Sequence, residues 1–68
     1  MNKVTVGFIG LGNVGSKIAN NILKGNFKLL VNDLDKNKSI NLIENGAQWC
    51  TTVEELALKS TIIVTCLP

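Results

Sequence analysis

Histidine, arginine and tyrosine are absent from this sequence, and only Phe8, Phe27 and Trp49 are aromatic. With no histidine, and with Cys50 and Cys66 outside any CxxC spacing, no metal site is expected. No apolar run approaches the ~20 residues of a membrane-spanning helix. Met1-Asn2-Lys3 leads straight into an apolar strand without a signal-peptide pattern. The expected compartment is therefore the cytoplasm, with an organellar matrix left open, and the thiols are expected to be reduced. The net charge is +2 and the lysines are scattered. Without a basic stripe, neither nucleic acid nor a membrane surface is expected as a partner.

What is present is 68 residues, 46% of them hydrophobic, enough for one small domain with a packed core. Val4 to Ile9 is a short β-branched run that stops at glycine, which predicts a strand. Its lack of clean alternation points to burial on both faces, as in a parallel sheet. Asn13 to Lys24 reads as a helix, with Val14, Ile18 and Ile22 on its inner stripe and Ala19 and Leu23 widening it. Gly25 is expected to end it as a left-handed cap. Leu29 to Asn32 is a second strand.

Asp35 is placed to cap a second helix over 36–45, with Ile40 and Ile43 inward and Gly46 as its stop. Ala47 to Cys50 is a brief third strand. Thr52-Val53-Glu54-Glu55 has capping-box spacing and predicts a helix to about Lys59. Thr61 to Leu67, apolar almost throughout, is a fourth strand fit for burial on both faces. Strict alternation of strand and helix predicts a parallel sheet with right-handed crossovers.

The chemistry is concentrated where the first strand meets the first helix, at Gly10-Leu11-Gly12-Asn13-Val14-Gly15. A lone GxGxxG is weak evidence, since glycine is common in turns. Here it follows a strand and opens a helix. An acid, Asp33, closes the next strand at the distance of about 20 residues that the dinucleotide fingerprint requires. Gly10 permits the tight turn, Gly12 lets a pyrophosphate approach the backbone, and Gly15 lets helix and strand pack closely. The free N–H groups around Asn13 to Gly15 then face the phosphates.

The Asp33 carboxylate can accept from the adenosine ribose hydroxyls and would repel a 2′-phosphate. Leu34 cannot hold a phosphate, and the chain has no arginine to do so. NAD is therefore expected over NADP. Read without a ligand, the loop is a tight turn and Asp33 is a solvated turn residue or a helix cap.

Gly7 to Gly15, Ile18 to Lys24, Asn45-Gly46-Ala47, Thr52 to Glu55 and Ile62 to Pro68 together resemble the β-hydroxyacid dehydrogenases. That family takes in the 3-hydroxyisobutyrate dehydrogenases, tartronate semialdehyde reductases and 6-phosphogluconate dehydrogenases. Val14 and Ile18 stand where it usually has methionine, and Asp33-Leu34 where many NADP-using members have Asn-Arg. The resemblance implies hydride transfer between a nicotinamide cofactor and a small, 3-hydroxyisobutyrate-like β-hydroxy acid, and a homo-oligomer at full length. It sets Leu67 and Pro68 near the nicotinamide side and puts the catalytic lysine well past residue 68, so no catalytic residue is assigned.

The expected fold is the first half of a Rossmann-type α/β domain (β-α-β-α-β-α-β, strand order 3-2-1-4). Residues 1–68 would be its N-terminal part, with the substrate domain absent. That order separates Cys50 from Cys66 by three strand spacings, about 14 Å, beyond the ~7 Å a disulfide spans. Alone, the chain is expected to be marginal, with an open apolar edge at strand four. A stand-alone nucleotide-binding module, or part of an NADP-linked semialdehyde or imine reductase, are the alternatives.

Overall fold

In the computed structural model, which describes residues 4–25 and 27–66, the first strand β1 (Val4–Ile9) is central and every crossover returns to its sheet. Helix α1 (Asn13–Lys24) leads to β2 (Phe27–Asn32). A 3₁₀ turn (Lys36–Ser39) and α2 (Ile40–Glu44) lead to β3 (Gln48–Trp49), and α3 (Val53–Lys59) leads to β4 (Ile62–Thr65). The four strands are parallel in the order β3-β2-β1-β4, as the alternation required. Among the described residues no helix is long and apolar enough to cross a membrane.

Alternate β1 side chains serve opposite faces of the sheet. Val6 and Phe8 join Leu29, Val31, Ala19, Leu42 and Ala47 in a core beneath α1 and α2. On the other face Leu30, Cys50 and Leu56 close a smaller core beneath α3, with Ile9 against it. Gly7 lies under α3, where an added Cβ would overlap Leu56 Cδ2 and Ser60 Oγ.

Several local expectations are corrected. The inner stripe of α1 keeps Ala19, Ile22 and Leu23 against the core as expected and adds Gly15, whereas Val14 and Ile18 are 65% and 41% exposed. In its first half the small residues Gly15 and Ala19 lie on the contact line and bring the helix close to the strands. Gly25 is extended (φ −83°) rather than left-handed, because the chain passes almost directly into β2. β2 begins two residues early, paired through Phe27 with Val4.

The second helix is split. Asp35 does cap it, accepting from Asn37 N–H, but the tighter 3₁₀ turn rotates the α-helical residues after it. Ser39 and Leu42 are fully buried, Ile43 packs on the core, and Ile40 faces out. Gly46, at φ +115°, ends it as expected. In α3, Thr52 Oγ1 accepts from Glu55 N–H, while the Glu55 carboxylate reaches back to Thr51 N–H, one residue before the cap. Finally, Ile62 and Ile63 of β4 are half exposed rather than buried on both faces, since β4 pairs with β1 on one side only.

Candidate functional site

The loop between β1 and α1 is fixed first by its own glycines. Gly10 lies at φ +92°, a conformation L side chains rarely adopt, and its N–H donates to Asn32 O at the end of β2 (3.1 Å). Gly15 is buried, and a Cβ there would sit 2.6 Å from the Gly10 carbonyl oxygen. Both glycines are therefore demanded by the fold.

Gly12 differs. Its backbone (φ −67°, ψ −173°) suits any residue, and a Cβ added to it would meet nothing within 4 Å among the described residues. Neither conformation nor packing accounts for a glycine here, but a ligand approaching the backbone would. Gly12 is also the N-cap of α1. It offers no side-chain hydrogen bond, and the first turn holds no acidic residue. α3 has the opposite arrangement, with Thr52 capping it and Glu54 and Glu55 in its first turn. The α1 terminus thus keeps unsatisfied N–H donors and an uncompensated dipole, the features that bind an anion.

Asp33 faces this loop from the end of β2. Its Oδ2 accepts from Leu11 N–H at 2.6 Å and its Oδ1 from Asp35 N–H at 2.8 Å. The Asp35 N–H is the chief reason its carboxyl is held below the usual carboxylate value. Partial burial opposes this, while the Leu11 N–H and the Lys38 ammonium add to it. Asp33 is therefore ionised at neutral pH. Each carboxylate oxygen retains a lone pair, so the group can still accept from hydroxyls.

Gly10 to Gly15, Asp33 and Leu34 all line one open cleft of about 890 Å³. Leu34 is fully exposed at its rim. The Leu11 side chain turns away into the core, 2% exposed. Leu67 and Pro68 lie outside the described residues. The cleft is also lined by Asn32, Lys38, Val53 and Cys66. Of these, only Cys66 has a readable signal in the sequence, its position near the end of the expected fourth strand, although β4 itself stops at Thr65. Lys38 comes close only because the 3₁₀ turn folds back beside Asp33. Both cysteines are free, and burial, followed by the charge of Glu55, pushes the Cys50 thiol up.

The chain matches, over residues 5–68, the family model described as the NAD binding domain of 6-phosphogluconate dehydrogenase. It is 44% identical over 64 residues to a probable mitochondrial 3-hydroxyisobutyrate dehydrogenase of Dictyostelium discoideum, covering 94% of this chain and 20% of that one. Among solved structures it resembles an imine reductase from Myxococcus stipitatus in complex with NAD+ (TM-score 0.92, 30% identity, 97% of this chain, 23% of that one). A reductive aminase from Aspergillus terreus in complex with NADPH is also similar (TM-score 0.87, 26% identity, 97% of this chain, 23% of that one). The chain spans about a fifth of the length of the curated relatives it matches. A match of this extent, on a fold whose glycine loop opens toward a carboxylate, means that the chain belongs to the β-hydroxyacid dehydrogenase family, as its NAD-binding portion.

Proposed function

We propose that residues 1–68 are the N-terminal part of the dinucleotide-binding domain of an NAD-dependent dehydrogenase acting on a small β-hydroxy acid of the 3-hydroxyisobutyrate class. The observation that carries this reading is Gly12, a glycine that neither its backbone nor its neighbours require, at an uncapped helix terminus opposite an ionised carboxylate. Gly10, Gly12 and the N–H groups of Asn13, Val14 and Gly15 would hold the pyrophosphate, with Gly15 also setting the helix against the strand. Asp33 would accept from the ribose hydroxyls, with Leu34 beside it. Leu67 and Pro68 would border the nicotinamide. When bound, the cofactor supplies a ring that accepts or returns a hydride. The chain's own residues bind and orient it.

Asp33 favours NAD, because a 2′-phosphate beside this carboxylate would meet like charge. A second reading, NADP use, draws on Lys38, which lines the same cleft, and on the similarity to an NADPH complex. At full length the protein is read as a homo-oligomer of cytoplasm or organellar matrix, the latter supported by mitochondrial relatives, with neither nucleic acid nor membrane as partner.

Fluorescence titration of the full-length protein with NADH and NADPH, followed by a substrate panel, tests this. Tighter NADH binding and oxidation of a small β-hydroxy acid are expected. Tighter NADPH binding would overturn the cofactor preference. Turnover of cyclic imines without any hydroxy-acid oxidation would overturn the substrate class.

A further inference from the structure

Leu11 is held on three sides. Its N–H donates to Asp33 Oδ2 across 22 residues of sequence (2.6 Å). Its carbonyl accepts from Ser16 Oγ in the first turns of α1 (2.9 Å). Its side chain is buried in the main core. It is the one residue between Gly10 and Gly12, so its peptide groups set the direction in which the next N–H groups point. Ser16 is also anchored through its own N–H, which donates to Gly12 O (2.8 Å). Ser16 is not among the residues lining the cleft.

We propose that Asp33 and Ser16 clamp the Leu11 peptide from its two ends and so preorganise the phosphate loop, making both of them positioning residues for the pyrophosphate. Asp33 then serves two subsites at once. The ribose subsite uses the lone pairs that Leu11 and Asp35 leave open. The phosphate loop uses the oxygen that Leu11 N–H occupies. This inference rests on the proposed cofactor role and goes beyond it, because the ionised Asp33 carboxylate has no proton to donate to a phosphate and Ser16 is not among the residues lining the cleft. Fixing the loop beforehand lowers the ordering cost that binding would otherwise carry.

Charge alone predicts the opposite sign for Asp33. Removing a carboxylate near an anion site should tighten anion binding. The informative comparison is therefore between two neutral variants, D33A and D33N, of which only the asparagine can still accept from Leu11 N–H. S16A adds a test that leaves every charge in place.

The probe is inorganic pyrophosphate, which has no ribose, titrated calorimetrically against the full-length protein. Hydrogen–deuterium exchange of the peptide that contains Leu11 is measured on the same samples. D33A is expected to bind pyrophosphate about fivefold more weakly than D33N, and S16A about fivefold more weakly than wild type, the equivalent of one net hydrogen bond. Both D33A and S16A should exchange faster across the loop. In turnover, S16A should raise KM for NADH and leave kcat near wild type.

The clamp is overturned if S16A matches wild type in both affinity and exchange while D33A binds pyrophosphate at least as tightly as D33N. If the wild-type protein binds neither pyrophosphate nor NADH, the cofactor reading falls. The exchange comparison then decides the clamp, with unchanged protection in both variants sinking it.

Discussion

Replacing Gly12 by alanine should separate binding from folding, and the structure sets the size of each effect. The added Cβ meets no atom within 4 Å among the described residues and the backbone already suits alanine. Two small stability effects oppose one another. Alanine reduces the freedom of the unfolded chain, worth about 0.4–1 kcal/mol. As an N-cap it is poorer than glycine by about the same amount. The net change should lie within about 0.5 kcal/mol.

Binding should respond far more. A methyl group in the space left for the pyrophosphate removes at least one charge-assisted hydrogen bond, about 1.5–3 kcal/mol, or roughly 10- to 150-fold in Kd. Gly15→Ala provides the inverse control. Its Cβ would press on the Gly10 carbonyl oxygen at 2.6 Å, a rigid neighbour, and overpacking of that kind costs about 1–3 kcal/mol. Urea denaturation and NADH titration of the full-length variants measure both effects. The reasoning fails if Gly12→Ala binds NADH within about twofold of wild type, or if it loses as much stability as Gly15→Ala.

Other parts of the molecule make their own tests. The double substitution D33N/L34R should move preference from NADH toward NADPH by removing the repelling carboxylate and adding a cation at the exposed rim position. An unchanged NADH-to-NADPH affinity ratio would contradict the role given to Asp33. The Asp33 carboxyl is depressed in the folded state, so its stabilisation is present above the unfolded value of about 3.9 and is lost as pH falls through the lower folded value. Between about pH 5 and about pH 3 the urea midpoint of wild type should therefore fall further than that of D33N, and parallel curves would rule this out. Gly7→Ala should destabilise by about 1–3 kcal/mol, since the new Cβ overlaps Leu56 and Ser60; a midpoint equal to wild type would refute that packing. Iodoacetamide should label Cys66, which lines the cleft, and spare the buried Cys50. NADH should slow the Cys66 reaction, and an equal rate with and without cofactor would place Cys66 outside the bound ligand's reach.

Much of the fold is legible in the sequence because its strongest signals are local and agree. The run Val4–Ile9 stops at Gly10, which adopts positive φ, and a helix opens three residues later behind Gly12. Given three strand–helix–strand crossovers, the order 3-2-1-4 accords with crossover handedness. The misreadings arise where a choice depends on neighbours that periodicity does not reveal. Periodicity puts Val14 and Ile18 on the stripe of α1 beside Ala19, Ile22 and Leu23. Close packing keeps the last three and replaces the first two by Gly15. A uniform second helix would turn Ile40 inward, but the 3₁₀ turn alters the phase. β4 is apolar enough for the middle of a sheet yet stands at an edge here, and composition cannot tell the two apart. Ser16 and Lys38 carry no signal in the sequence for the same reason, since their partners are settled only by the fold.

The glycine loop shows how fold and ligand requirements can be told apart. Gly10 is accounted for by its own φ and Gly15 by the carbonyl oxygen it would strike. Once those are subtracted, Gly12 is left without an internal cause. The helix termini give an independent comparison in the same chain. Thr52, Glu54 and Glu55 satisfy and compensate the start of α3, while α1 begins on a residue that can do neither. Serine or aspartate at Gly12 would gain a cap worth about a few tenths of a kcal/mol, and the added Cβ would meet no protein atom within 4 Å among the described residues. A position that forgoes an available stabilisation, with open space in front of it, is most simply explained by a partner that occupies the space. Gly12→Ser should accordingly raise the urea midpoint of the ligand-free protein and weaken NADH binding together. A variant that gained stability and kept full affinity would show that the space serves no ligand.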